Sequence, residues 1–357
     1  MPDLENAVPD PEKVASTAIR QLTGTVIPGP EDTPDHVYHY TTADGLSGIL
    51  KTQCLHATDV RYMNDPSEQL YADALIQRVI RNRNSDPLLE VLAETIRGTL
   101  QHVKVATYAA CFCEKPDLLS QWRAYSSAGT GYAIEFDWKT MAGAQPGPLA
   151  GKVEYNPAAQ EALVERILKQ PLEDSLAQVK AILESIRAGS TKRDDLWPPP
   201  EAPDKLGSDE RRHDPIARAL DAIQGTERSG PEFTAAAVQL AFSAAQTVGK
   251  STLAHPSVTV ACARYFLKSR AFSEEREWRL VGWQPPGTSE QFRVKNGIFV
   301  PYIEFRAPRR TTLPITKITI GPGLHPQQAA DSLMRLLAQL KLSHIPVEAS
   351  PIPIRIL

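Results

Sequence analysis

The stretch KSRAFSEEREWRLVGW, residues 268–283, decides how this chain is read. It opens as a charge run and closes as an apolar, aromatic-rich strand. A solvated surface loop would explain the charges but not the entry into Trp278-Arg279-Leu280-Val281. On an extended backbone Glu275 and Glu277, two residues apart, face one side, while Arg276 and Trp278 face the other. Two neighbouring carboxylates repel, a cost that a cation or a substrate dipole must offset. The stretch therefore predicts paired acids at the mouth of a buried strand.

Around it the second half of the chain reads as strands: Val258 to Ala263, Trp278 to Trp283, Tyr302 to Phe305, Ile315 to Ile320 and Pro351 to Ile356, with a helix from Pro326 to Leu342 before the last. The first half is also mixed. Val37 to Thr41 is β-prone, and Ala43 to Leu50 places Leu46, Ile49 and Leu50 at helical spacing. Cys54 to Thr58 follows, and Val103 to Phe112 and Tyr132 to Phe136 read as further strands. Asp65 is a helix cap with Pro66 at the first helical position, before an apolar face of Leu70, Ala74, Leu75, Val79 and Ile80. Residues 157–257 change character. They carry helical periods after Asn156-Pro157, a proline-rich charged stretch from Trp197 to Pro215, and an Ala-rich helix from Phe233 to Val248. The organisation expected is an extension and linker over 1–35, a brief helix at Val14 to Leu22 included. A domain in two halves, 36–156 and 258–357, follows, with a helical insertion over 157–257 between them. The class is α+β.

At 42% hydrophobic and 23% charged residues, the 357-residue chain can bury an ordinary core, which excludes whole-chain disorder. A net charge of −3 argues against phosphate-driven nucleic-acid binding. No run reaches the ~18 apolar residues of a membrane span. The opening Met1-Pro2-Asp3-Leu4-Glu5 lacks a signal peptide's basic and apolar regions. Cys54, Cys111, Cys113 and Cys262 are too scattered for a disulfide framework. A cytoplasmic protein is expected.

Three other clusters put polar groups where a core pattern prefers apolar ones. His39-Tyr40-Thr41 ends the first strand, where an imidazole and hydroxyls can meet a ribose; a histidine bonded to backbone is the plainer account. His36 and His39 have no Cys/His pair after them at zinc spacing. Met63 to Glu68 is either a capped helix start or a ligand loop. In Gln121-Trp122-Arg123-Ala124-Tyr125, Trp122 and Tyr125 share a helix face and could wall an aromatic pocket or simply pack in the core. Ser126 to Gly131 fails the G-x-G-x-x-G pattern, lacks a P-loop lysine, and reads as a turn.

Taken in order, His39-Tyr40-Thr41, Gly48-Ile49-Leu50, Asn64-Asp65-Pro66 with Glu68, Trp122 with Tyr125, and Glu275-x-Glu277-Trp278-Arg279 resemble the bacterial domain of unknown function numbered 2971. The resemblance covers 36–155 and roughly 258–357. It implies an ADP-ribosyltransferase-like fold, a split and strongly bent pair of antiparallel sheets, with NAD as substrate. His39 matches the histidine that binds an NAD ribose in such transferases, Tyr62 or Asn64 falls at the second motif, and Glu275-Arg276-Glu277 matches the late E-x-E. No Ser-Thr-Ser triplet stands at the second motif. The implied NAD-binding set is His39, Tyr40, Thr41, Tyr62, Asn64, Trp122 and Tyr125. Glu277 would stabilise the oxocarbenium-like state and Glu275 would orient or deprotonate the acceptor, a protein or nucleic acid modified by a toxin or defence effector. Two other readings stand beside it. One is a non-enzymatic module binding a nucleotide-like ligand in the same cleft. The other is a metal-dependent hydrolase or nuclease built on Asp65, Glu68, Glu275 and Glu277, although nothing in their spacing selects metal ligands.

Overall fold

The computed structural model describes residues 33–63, 67–82, 106–143, 149–167, 169, 173, 263–283, 290–295, 297–306 and 312–353. Expectations for Val14 to Leu22, Asn64 to Pro66, Val258 to Cys262 and most of 157–257 lie outside these residues. The chain divides into two compact units, one of 23–72, 105–160 and 265–357, the other of 1–22, 73–104 and 161–264. All the strands described below belong to the first.

The class is α+β. Ten strands join one sheet: β1 His36–Thr41, β2 Cys54–Asp59, β3 Thr107–Cys113, β4 Tyr132–Asp137, β5 Leu149–Lys152, β6 Glu277–Trp283, β7 Gln291–Lys295, β8 Ile298–Arg306, β9 Ile315–Ile320 and β10 Val347–Ala349. The sheet forks at β3. One edge of β3 takes β6 along its whole length, from Thr107↔Trp283 to Cys113↔Glu277. The opposite edge is shared: β1 meets it at Tyr38↔Cys113, and β2 meets it at Thr58↔Ala109 and Asp59↔Tyr108. One arm runs β1-β4-β9-β10 and the other β2-β8-β7, while β5 pairs the outer edge of β6. Every pairing is antiparallel except β10 with β9.

Local sequence explains most elements. Thr42 caps the helix Ala43–Thr52 by accepting the Gly45 N–H, Gln53 closes it in the left-handed region, and Leu46, Ile49 and Leu50 are its buried face, as their spacing predicts. Pro326 opens the helix Pro326–Gln339, whose Ala329, Leu333 and Leu337 lie one turn apart against the core. In β6, Trp278 and Leu280 join that core, where Phe112, Phe136, Trp138 and Trp278 form a chain of edge-on rings 5.4–5.8 Å apart. Glu277 and Arg279 point to the other side.

Three sequence expectations are corrected. The last strand among the described residues is Val347–Ala349; Pro351 to Pro353, expected to begin one, are not in a strand, since Pro351 and Pro353 offer no ladder N–H, and residues 354–357 lie outside those described. In the helix Glu68–Asn82 the buried apolar positions among the described side chains are Ala72, Leu75, Ile76 and Val79, whereas Leu70 is 70% exposed and Ala74 is exposed too. Glu275 ends the 3-10 helix Arg270–Glu275 and Arg276 is left-handed, so the extended backbone begins only at Glu277. Two short strands, β5 and β7, and the helix Trp138–Gly143 carry too little pattern to be read.

Candidate functional site

Beyond Tyr38↔Cys113, β1 and β3 diverge, and a cleft of about 90 Å³ opens at the fork. It is lined by Tyr38, His39 and Tyr40 of β1, Cys111, Phe112 and Cys113 of β3, Gln121 and Tyr125 of the helix Leu119–Tyr125, and Glu275 and Glu277. Five expected site residues, His39, Tyr40, Tyr125, Glu275 and Glu277, thus meet in one place.

His39 sits with its Nδ1 3.0 Å from the Cys111 carbonyl. A carbonyl only accepts, so Nδ1 carries the proton. Burial lowers the imidazole's affinity for a second proton, only partly offset by that hydrogen bond. The ring is therefore a neutral imidazole with Nε2 as acceptor, its edge toward Phe112 at 5.9 Å.

The acids are held by a buried ion network. Arg279, 1% exposed, grips Glu277 with Nε on Oε1 at 2.7 Å and Nη2 on Oε2 at 2.8 Å. Its Nη1 donates to Glu68 and, at 2.7 Å, to the Tyr265 carbonyl. Lys268 Nζ reaches Glu275 at 2.5 Å, Glu277 at 3.2 Å and Glu68 at 3.6 Å. Three carboxylates thus face two cations. The surrounding backbone fixes these groups: the Tyr155 hydroxyl accepts the Glu277 N–H, and buried Gln160 donates to the carbonyls of Glu154 and Lys268.

The environments of the two acids differ in sign. Burial pushes Glu277 up, but Arg279 and Lys268 overcome it and hold the carboxyl at about 2. Burial also pushes Glu275 up, and there Lys268 offsets it only in part, so its affinity for a proton is raised. Burial, reinforced by Glu277, carries the Cys111 thiol well above its ordinary range. Tyr125 Oη donates to Glu275 at 3.4 Å.

The other expected residues stand elsewhere. Tyr40 borders the cleft, but its hydroxyl is committed, donating to the Lys115 carbonyl and accepting the Leu118 N–H, each at 3.0 Å. Trp122 is wholly enclosed, edge-on to Tyr40 at 4.8 Å and donating to Asp117 at 2.5 Å. Thr41 and Tyr62 do not line the cleft, and Asn64 lies outside the described residues. Glu68 joins Glu275 and Glu277, with Lys268 and Arg279 filling the space between the carboxylates. Asp65 is outside the described residues. Arg279 and Lys268, the two cations that the sequence offers as alternative ion-pair partners for Glu277, both pair with it; Gln121 as a lining residue was not foreseen. The available signal for Arg279 was a charged residue two positions after Glu277 in an otherwise apolar strand.

Residues 121–280 match the model of a family described as protein of unknown function, DUF2971. No curated protein and no solved structure matches the chain. The DUF2971 match takes in Gln121, Tyr125, Lys268, Glu275, Glu277 and Arg279. It begins after His39 and Glu68 and runs through 157–257, the stretch that the motif resemblance leaves out. Among the described residues, no helix is long and apolar enough to cross a membrane.

Proposed function

We propose that the cleft cleaves the nicotinamide–ribose bond of NAD and passes ADP-ribose to a protein or nucleic-acid acceptor, as an effector acting inside the cell. The observation that carries this reading is the opposed setting of two carboxylates beside a neutral histidine. Glycosidic cleavage builds positive charge on the ribose and needs one acid that stays ionised and one that can exchange a proton. Glu277, held at about 2, suits the first task and cannot serve as a base near neutrality. Glu275, with its raised proton affinity, suits the second. His39 Nε2 would accept a ribose hydroxyl, and the Gln121 amide can meet a carboxamide or a base edge. Tyr40 and Trp122 build the wall rather than stack on ligand. At about 30 Å³ per water, the cleft has room for about three waters. It grips one end of a dinucleotide and leaves the remainder outside.

One observation favours a second reading. Arg279 occupies both Glu277 oxygens, as a structural anchor would, and the cleft then binds a nucleotide-like ligand without turnover. Incubation with NAD labelled in the adenylate, with and without cell extract, separates the two. Transfer of label, or nicotinamide release alone, supports chemistry; saturable NAD binding without either supports the binding module. Glu275→Gln is the sharpest variant. As a proton-exchanging group it should cost about 10²- to 10⁴-fold in turnover with NAD affinity little changed. Unaltered turnover would remove Glu275 from the mechanism.

A further inference from the structure

On the other arm of the fork, the β2–β8 ladder sets His56 opposite Glu304 and Cys54 opposite Arg306. Cys54 and His56, two apart on one strand, share a face with Glu304, while Leu55, Ala57 and Phe305 turn inward to the core. The Cys54 sulfur, a His56 ring nitrogen and a Glu304 carboxylate oxygen all lie within 4.8 Å of one another.

We propose that Cys54, His56 and Glu304 form a binding site for a zinc-class divalent cation, separate from the cleft and independent of the function proposed for it. Thiolate, imidazole and carboxylate are the borderline-soft donor set that selects this class over magnesium or calcium. Zinc distances of 2.0–2.3 Å put tetrahedral donors about 3.3–3.8 Å apart, so the donors need close in by only about 1 Å. The flexible Glu304 side chain can supply that movement.

The surroundings orient the donors. His56 stacks on Tyr302 at 4.0 Å and 24°, which fixes its ring plane. Thr52 Oγ1, whose own proton goes to the Gly48 carbonyl at 2.8 Å, lies 3.0 Å from the Cys54 sulfur and accepts the thiol proton there, fixing the sulfur until metal binding releases that proton to solvent. Arg306 holds Glu304 through Oε2 alone and is itself largely exposed, leaving Oε1 for the ion. Arg306, with Arg293 on Thr58 nearby, tempers the affinity by balancing the charge of the two anionic ligands. Three protein donors leave a fourth position for water, the arrangement of an open rather than a closed zinc site.

The test is a titration of Co²⁺ alone into the chelator-treated full chain. A thiolate-to-cobalt charge-transfer band should appear, vanish in Cys54→Ser, and persist in serine variants of Cys111, Cys113 and Cys262. His56→Ala and Glu304→Gln change half-buried positions, so they provide a second arm if Cys54→Ser does not fold. Each should weaken Co²⁺ binding at least about tenfold while metal-free melting stays unchanged. Absence of the band in the unmodified chain, its survival in Cys54→Ser, or undiminished binding in both His56→Ala and Glu304→Gln would overturn the site.

Discussion

Glu277 is a single buried charge on which stability rests and, under the function proposed, chemistry too. Its carboxylate is the counter-ion of Arg279, which has no route to solvent. Glu277→Gln leaves that guanidinium short of a charge, and breaking such a pair costs roughly 3–5 kcal/mol. We expect a markedly lower melting temperature and lost turnover together, whereas Glu275→Gln leaves Lys268 with Glu68 and Glu277 and should melt close to the parent. A glutamine at 277 that melts like the parent would deny the anchoring role. The pH dependence has a definite sign. Glu277 sits at about 2 in the fold against an ordinary 4.5, so its stabilising effect is complete above the ordinary value and fades as pH falls toward 2. At 1.36 kcal/mol per unit this amounts to roughly 3 kcal/mol. Glu275, shifted the other way, gives back a little over part of the same range. Denaturant titrations from about pH 6 to about pH 3 should show stability falling in the parent and a flatter profile in Glu277→Gln.

At the scale of elements, the turn Ser126–Gly131 offers a controlled comparison. A Cβ on Gly131 would stand 2.3 Å from the Thr41 carbonyl oxygen, whereas one on Gly48, inside the helix Ala43–Thr52, meets nothing within 4 Å. Gly131→Ala should therefore lower the melting temperature, while Gly48→Ala should raise stability by about 0.5–1 kcal/mol through helix propensity. Equal effects from the two would contradict the close approach. The same scale explains what the sequence made legible. Helices with capping residues and wide apolar faces, such as Ala43–Thr52, could be placed closely, as could the strands Tyr132–Asp137 and Ile315–Ile320. β5 and β7 could not, because a short edge or outer strand needs no alternation of its own and takes its place from a neighbour's ladder. The acids at 275 and 277 were legible as a polar intrusion into an apolar strand. Arg279 and Lys268 were legible as cations close to Glu277 in sequence; Glu68 was not legible as their third counter-ion, because it comes from a distant helix and only the tertiary fold makes it a neighbour.

For the whole molecule, β3 and β6 make the decisive ladder, since one comes from each half of the sequence. β2 with β8 and β4 with β9 repeat that cross-connection. A chain cleaved at a protease site inserted into Trp197–Pro215 should therefore remain one particle. Both fragments should co-elute in native size exclusion and part only in denaturant, and separation under native conditions would mean that the ladders do not hold the halves together.

That cross-connection also governs when the protein can come into being. A ribosome delivers His39 and β3 long before it delivers Glu277, so β3 waits with one edge bare while residues 114–276 are made. Closing so long an intervening loop is entropically costly and slow, and the exposed edge is a template for pairing with another nascent chain. A product truncated before Glu277 carries the histidine without the acids, and is a candidate for aggregation.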